Sequence, residues 1–176
     1  AAVSDNMVPL AIGSQTGGSV LRPASFTGIF GLKPTFGSIS RSGMSAISQR
    51  LDHPGIYANT PDDIKLVASV ILSYHKQDLD MRSNYIFDSR GSINKSPKFA
   101  FVKGPVWNFG DKDMQEQIEK LVANLSMDIE EVELGHNFDE AARCHEIIMN
   151  GSISSSLLSY YKKDRSKLHP FTINRI

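Results

Sequence analysis

Apolar positions along the chain fall into three regimes. Up to about Thr35 they are interspersed with Gly, Ser and Pro and almost no charge. Met7–Ile12 (MVPLAI) reads there as a buried strand, weakened by Pro9, which has no N–H to give a ladder. GSQTGGS follows, a loop by its glycines, and then a short apolar, helix-compatible stretch to Phe30. From Phe36 to Tyr57 neither a helical nor a strand period survives. That predicts a long irregular loop, a feature compact domains keep mainly for function. Period returns at Thr60-Pro61-Asp62-Asp63, which supplies an N-cap, a proline at the first helical position and an acid at the third. Ile64, Val67, Ala68, Ile71 and Leu72 then recur at helical spacing and predict a helix to about Tyr74.

From Ser96 the pattern alternates. Phe99–Val102 predicts a strand, and Asp111 to about Leu125 an amphipathic helix with Ile118, Leu121, Val122 and Leu125 inward. Ile129–Leu134 predicts a second strand. Phe138 to about Tyr161 predicts a helix broken at Gly151, with Lys162 and Lys163 suiting its C-terminal dipole. Strand–helix–strand–helix order argues an α/β layer structure.

Composition narrows the function classes. The 176 residues are 40% hydrophobic and 22% charged, with nineteen basic against nineteen acidic residues. No basic run exceeds a pair, so neither nucleic acid nor an anionic membrane has an electrostatic footprint. Cys144 is the single cysteine and cannot form an internal disulfide. No apolar run approaches the roughly 20 residues of a membrane helix, and the opening AAVSDN has no signal-peptide pattern. A cytoplasmic setting is expected. The N-x-S triplets at Asn94, Asn124 and Asn150 carry no evidence of secretion at this serine content.

Chemistry concentrates in Gly13–Thr35, GSQTGGSVLRPASFTGIFGLKPT. A strand runs into glycines, a serine follows, and a helix-compatible segment begins. Backbone amides near Thr16, Gly17, Gly18 and Ser19 would be free of ladder partners, and glycines can turn them toward one point as an anion-binding nest. A serine at the mouth of such a nest stands beside its own oxyanion hole. A P-loop would need Lys at position 19 and Ser or Thr at 20, and Ser19 and Val20 fail it. No GxGxxG is present, and Gly18-Ser19-Val20-Leu21 breaks the GxSxG elbow. On spacing alone, a purely structural turn stays open.

The run from Gly13 to Gly55 closely resembles the amidase signature family. Beyond Gly17-Gly18-Ser19, it carries Arg22-Pro23, GLKPT at Gly31–Thr35, SRSG at Ser40–Gly43 and LDHPG at Leu51–Gly55. Weaker resemblance continues to Met149. The resemblance implies part of a mixed sheet flanked by helices on both faces, within a single partial domain over residues 1–176. It also implies a Ser–cis-Ser–Lys triad in which Ser19 is the acylated nucleophile, and amides near Thr16, Gly17 and Gly18 hold the oxyanion. Such a site is the Ser-Lys variant of triad logic. A small-molecule amide would be the substrate, with no cofactor and no metal.

Departures qualify the likeness. Gln15 stands where many members carry Asp, and Arg22 lies three residues after the serine rather than two; both read as loop supports. The Ser-Ile-Arg-Gln-Pro run typical of the glutamyl-tRNA amidotransferase member is missing, which counts against that reading. The resemblance places the cis-serine and the lysine before Ala1, and neither Lys33 nor Lys103 replaces them. Residues 1–176 alone are therefore expected to be inactive on amides and to self-associate as homo-oligomers or aggregates, and a noncatalytic binding remnant is the rival reading. Several other side chains read as structural. His145-Glu146 with Met149 lacks the second His of HExxH, and Cys144 faces a different side of the helix from His145. His53 suits a loop-fixing role. Lys33 and Arg22 suit bonds to carbonyls or carboxylates, and Asp78 and Asp80 read as solvated loop acids.

Overall fold

The structure, a computed structural model, describes residues 1–81 and 97–176; Asn94 lies outside them. It comprises two compact units, Ala1–Gly91 with Ile148–Ile176, and Ser92–Ile147. Their elements are of the α/β class.

In the first unit, β1 (Leu10–Gln15), α1 (Leu21–Thr27), β2 (Phe30–Leu32), β3 (His53–Ala58) and α2 (Pro61–Ile71) follow one another. The sheet order is β1-β3-β2, antiparallel at both seams. β1 begins three residues later than the expected Met7–Ile12, and its residues alternate between exposed and half-buried. Pro9 keeps the run from pairing at its start. Gly13, Ser14 and Gln15, which read as loop, instead pair with Gly55, Pro54 and His53. Gly13 is needed there: a Cβ would stand 2.6 Å from Cε2 of Tyr57.

β3 is the larger correction, because it forms the central strand within the stretch expected to be irregular. Pro54 is tolerated because the β2 ladder ends opposite Ile56, so the missing N–H falls beyond it. Residues before Asp52 do run as loop and turn.

α2 starts as expected. The Thr60 hydroxyl oxygen accepts from the Asp63 amide at 3.1 Å, and Pro61 opens the helix. It ends at Ile71, short of Tyr74, because Leu72 leaves helical geometry with ψ at 64°. Its inward face packs Ile64, Val67, Ala68 and Ile71 against Ile39, Ile56 and Leu32. Burying a side chain such as Ile56 contributes roughly 1.5–3 kcal/mol, so this cluster fixes β3 against α2.

In the second unit, β4 (Phe99–Phe101) and β5 (Ile129–Glu131) pair in parallel across α3 (Lys112–Asn124). Both strands are shorter than expected. Ile118 and Val122 are half-buried, but Leu121 and Leu125 are exposed, at 60% and 38%. The half-buried stripe runs Gln115, Ile118, Val122, and the two leucines flank it. Lys103 ties the unit together, with Nζ 3.0 Å from Glu119 and 3.1 Å from Glu131. Those hydrogen bonds raise its pKa.

α4 (Ala141–Asp164) runs unbroken through Gly151, contrary to the expected break. Glycine in a helix costs only about 1 kcal/mol relative to alanine, which the flanking turns absorb. Lys162 and Lys163 do fall in its last turn. A short α5 (Pro170–Ile173) ends the chain.

Candidate active site

Thr16, Gly17, Gly18 and Ser19 form the loop between β1 and α1, so the fold brings the four together. Gly18 has φ of +106°, in the left-handed region that favours glycine. That reversal turns the chain so that Ser19 is exposed while Val20, the next residue, is fully buried.

Four contacts hold the loop. Oε1 of Gln15 accepts from the amides of Val20 at 2.9 Å and Leu21 at 3.0 Å, closing the loop at its base and satisfying donors at the start of α1. Val20 seats against Gly55, where a Cβ would come within 2.7 Å of both valine methyls. The Tyr57 hydroxyl donates to the Ser19 carbonyl at 2.8 Å. Burial pushes the Tyr57 phenol up. Finally, the Thr16 hydroxyl donates to Oδ1 of Asp52 at 2.6 Å. Ser19 is thus an exposed hydroxyl on a backbone fixed on both sides.

Arg22 is exposed, and its amide donates to the Gly18 carbonyl at 2.9 Å. Lys33 behaves as expected of a loop support, with Nζ on the Pro34 carbonyl at 2.8 Å. His53 fixes its own loop: Nδ1 lies 2.6 Å from the Leu51 carbonyl and its ring meets Phe36 edge-on at 5.3 Å. Burial lowers the His53 pKa. The charges of Lys33 and Arg41 lower it further, against the Leu51 carbonyl and Asp52, which raise it.

Asp78 and Asp80 are not solvated acids. Asp78 is 7% exposed in its side chain and accepts from the Arg41 amide at 2.6 Å, with Arg41 Nε at 4.0 Å. Asp80 pairs with the other end of the same guanidinium, which also donates to the Gln49 carbonyl and lies over the Phe36 ring. The arginine of SRSG is the reason: its charge, largely withdrawn from water, collects both carboxylates. Beside this cluster lies an open cavity of about 280 Å³ whose wall includes Asp52.

Asp52 and Tyr57 are residues that sequence reasoning missed. Each reaches its partner across more than thirty positions, so no local spacing marks the contact. Among the described residues, no group of His, Cys, Asp and Glu could hold a metal, and no helix is long and apolar enough to cross a membrane. Cys144 is exposed.

The family model described as Amidase matches residues 1–172. Among curated proteins, the A subunit of glutamyl-tRNA(Gln) amidotransferase from Legionella pneumophila (strain Corby) is 35% identical over 166 residues, spanning 91% of this chain and 34% of that protein. The chain thus spans about a third of the length of the curated relatives it matches. Among solved structures, the corresponding amidotransferase chain from Thermotoga maritima superposes with a TM-score of 0.75 at 29% identity, covering 88% of this chain and 35% of that one. A vestigial protein complex, described as revealing the evolutionary origins of an s-triazine catabolic enzyme, shares the fold at a TM-score of 0.84. Its identity is 24%, over 99% of this chain and 38% of that one.

Proposed function

The chain belongs to the amidase family, and from that premise we propose that the protein carrying it cleaves a carboxamide C–N bond through an acyl-enzyme on Ser19. The observation that supports this reading is the loop itself. An exposed serine follows a glycine at positive φ and precedes a fully buried anchor, Val20. A nucleophile needs that combination of access and fixed aim.

In the proposed reaction, Ser19 Oγ attacks the amide carbonyl carbon. The hydroxyl proton passes to a base, for which the family resemblance supplies a lysine acting through a second serine outside this sequence. Amides of the Thr16–Ser19 loop stabilise the charge that develops on the carbonyl oxygen. The C–N bond breaks as the amine takes up the proton, leaving an ester on Ser19. Water then attacks that ester, returning the acid and free Ser19. The substrate is a small-molecule amide, and neither nucleic acid nor membrane is required.

A fluorophosphonate probe on the full-length protein, followed by peptide mapping, tests this. Modification of Ser19, absent in Ser19→Ala, is the expected result; label on Ser25, Ser40 or Ser42 with Ser19 untouched sinks it.

The curated relatives favour a second reading, an amidotransferase chain that passes the released nitrogen to an acceptor. Turnover of simple aryl amides by the purified protein, without partner chains, separates the hydrolase from that alternative.

A further inference from the structure

We propose that Asp52 is a positioning residue for the nucleophile loop, setting its aim through the Thr16 hydroxyl; this rests on the reading of Ser19 as the acylated residue. Asp52 is 5% exposed, and both of its oxygens are committed. Oδ1 accepts from the Thr16 hydroxyl at 2.6 Å, and Oδ2 accepts from the amides of Ile47 at 2.8 Å and Ser48 at 2.9 Å. Hydrogen bonds to an ionised acceptor are roughly twice as strong as neutral ones, so this carboxylate fixes what it touches.

On one side it touches the residue that opens the nucleophile loop. Thr16 is followed by Gly17 and Gly18, whose backbones have no Cβ to restrain them. A fixed Thr16 side chain therefore supplies restraint that the next two residues lack. On the other side, the Ile47–Ser48 turn is itself held by α4. The Ser48 hydroxyl donates to Ser152 Oγ at 2.9 Å, and the Ser156 hydroxyl donates to the Ile47 carbonyl at 3.0 Å. Asp52 also immediately precedes β3, where His53 pairs with Gln15, the last residue of β1. The carboxylate thus sits where sheet register, the α4-anchored turn and the entry to the nucleophile loop meet.

The residue type follows from this arrangement. A carboxylate can accept on both sides. An asparagine would aim its NH₂ either at the two turn amides, which are donors, or at Thr16, which would then have to reverse its own hydrogen bond. A purely structural carboxylate would need only the turn amides. The bond to Thr16, three residues before Ser19, points to reactivity.

The test uses the full-length protein with Asp52→Asn, Thr16→Val, Thr16→Ser and the Asp52→Asn/Thr16→Val double variant, assayed on an aryl amide. Misaiming reacting atoms by a fraction of an ångström is expected to lower kcat about tenfold to a hundredfold in Asp52→Asn and in Thr16→Val. KM should move less than about threefold. Thr16→Ser should recover most of the loss, and the double variant should be no worse than the poorer single variant, because both act through one bond. Undiminished kcat in folded Thr16→Val, or additive losses in the double variant, overturns the proposal. If Asp52→Asn fails to fold, the Thr16→Val and Thr16→Ser pair still decides it. Fluorophosphonate labelling of the unsubstituted protein keeps the two readings apart. No label on Ser19 defeats the nucleophile assignment, whereas normal label with an unaffected Thr16→Val kcat defeats only the role of Asp52.

Discussion

Gly18 and His53 show how single residues bear on the proposed chemistry and on the pH dependence of stability. At φ of +106° a Cβ on Gly18 is strained even though its nearest neighbour in space, Arg22 Nε, would be 3.9 Å away. Gly18→Ala should therefore relax toward negative φ and rotate the adjoining amides. A misaimed oxyanion donor costs about 10²–10³ in kcat, so steady-state kinetics should show that loss in a protein that still folds, with a stability cost of about 1–3 kcal/mol from the strain. Unchanged kinetics would mean these amides do not face the oxyanion. His53 acts on stability instead. Burial favours its neutral form, so its folded pKa lies below the ordinary value of 6.5 and the unfolded chain binds more protons in that window. The contribution is complete above about pH 6.5 and is lost as pH falls toward the lowered folded value. Unfolding midpoints of the full-length protein, measured between about pH 8 and pH 5, should fall less steeply in His53→Asn than in the unsubstituted protein. Parallel profiles would show that His53 does not titrate across the transition.

Among the elements, α1 depends on a residue outside itself. Its N-cap position, Val20, has no capping side chain, and Gln15 Oε1 accepts from Val20 and Leu21 in its place. Gln15→Leu removes that acceptor and should cost about 1 kcal/mol, the usual worth of a cap, together with part of the activity. Gln15→Glu keeps an acceptor and should cost less. Chemical denaturation read beside kcat checks both, and equal losses in the two variants would count against a capping role. The elements also differ in how far the sequence alone reveals them. α2 is legible because Thr60, Pro61 and Asp63 carry their signals within one turn. The start of β1 is only partly so, because Pro9 weakens the run MVPLAI without marking where pairing begins, while the strand's polar end, Gly13–Gln15, owes its geometry to pairing with β3. β3 itself is invisible: Asp52-His53-Pro54-Gly55 has no period, and only Ile56 and Ala58, fully buried in a strand flanked on both sides, give it a reason to extend.

At the scale of the molecule, the loop proposed to carry the nucleophile is legible from its glycines and its family likeness, whereas the carboxylates gathered by Arg41 are not. Arg41 meets Asp78 and Asp80 across almost forty residues, and such pairings follow from the fold rather than from spacing. Asp78→Ala would leave the Arg41 amide without its acceptor and remove the counter-charge 4.0 Å from Nε of a guanidinium only 12% exposed, and should cost about 1–3 kcal/mol. Asp80→Ala, at a carboxylate one-third exposed, should cost under about 1 kcal/mol. Denaturant midpoints rank the two, and a reversed order would place the burden on Asp80. The seat that Gly55 makes for Val20 has a consequence of another kind, in descent. With 2.7 Å between a Cβ at 55 and both valine methyls, and 2.9 Å between it and the Leu32 carbonyl oxygen, a lineage can gain a side chain at 55 only after residue 20, the neighbour of the proposed nucleophile, has shrunk and the β2 backbone has given way.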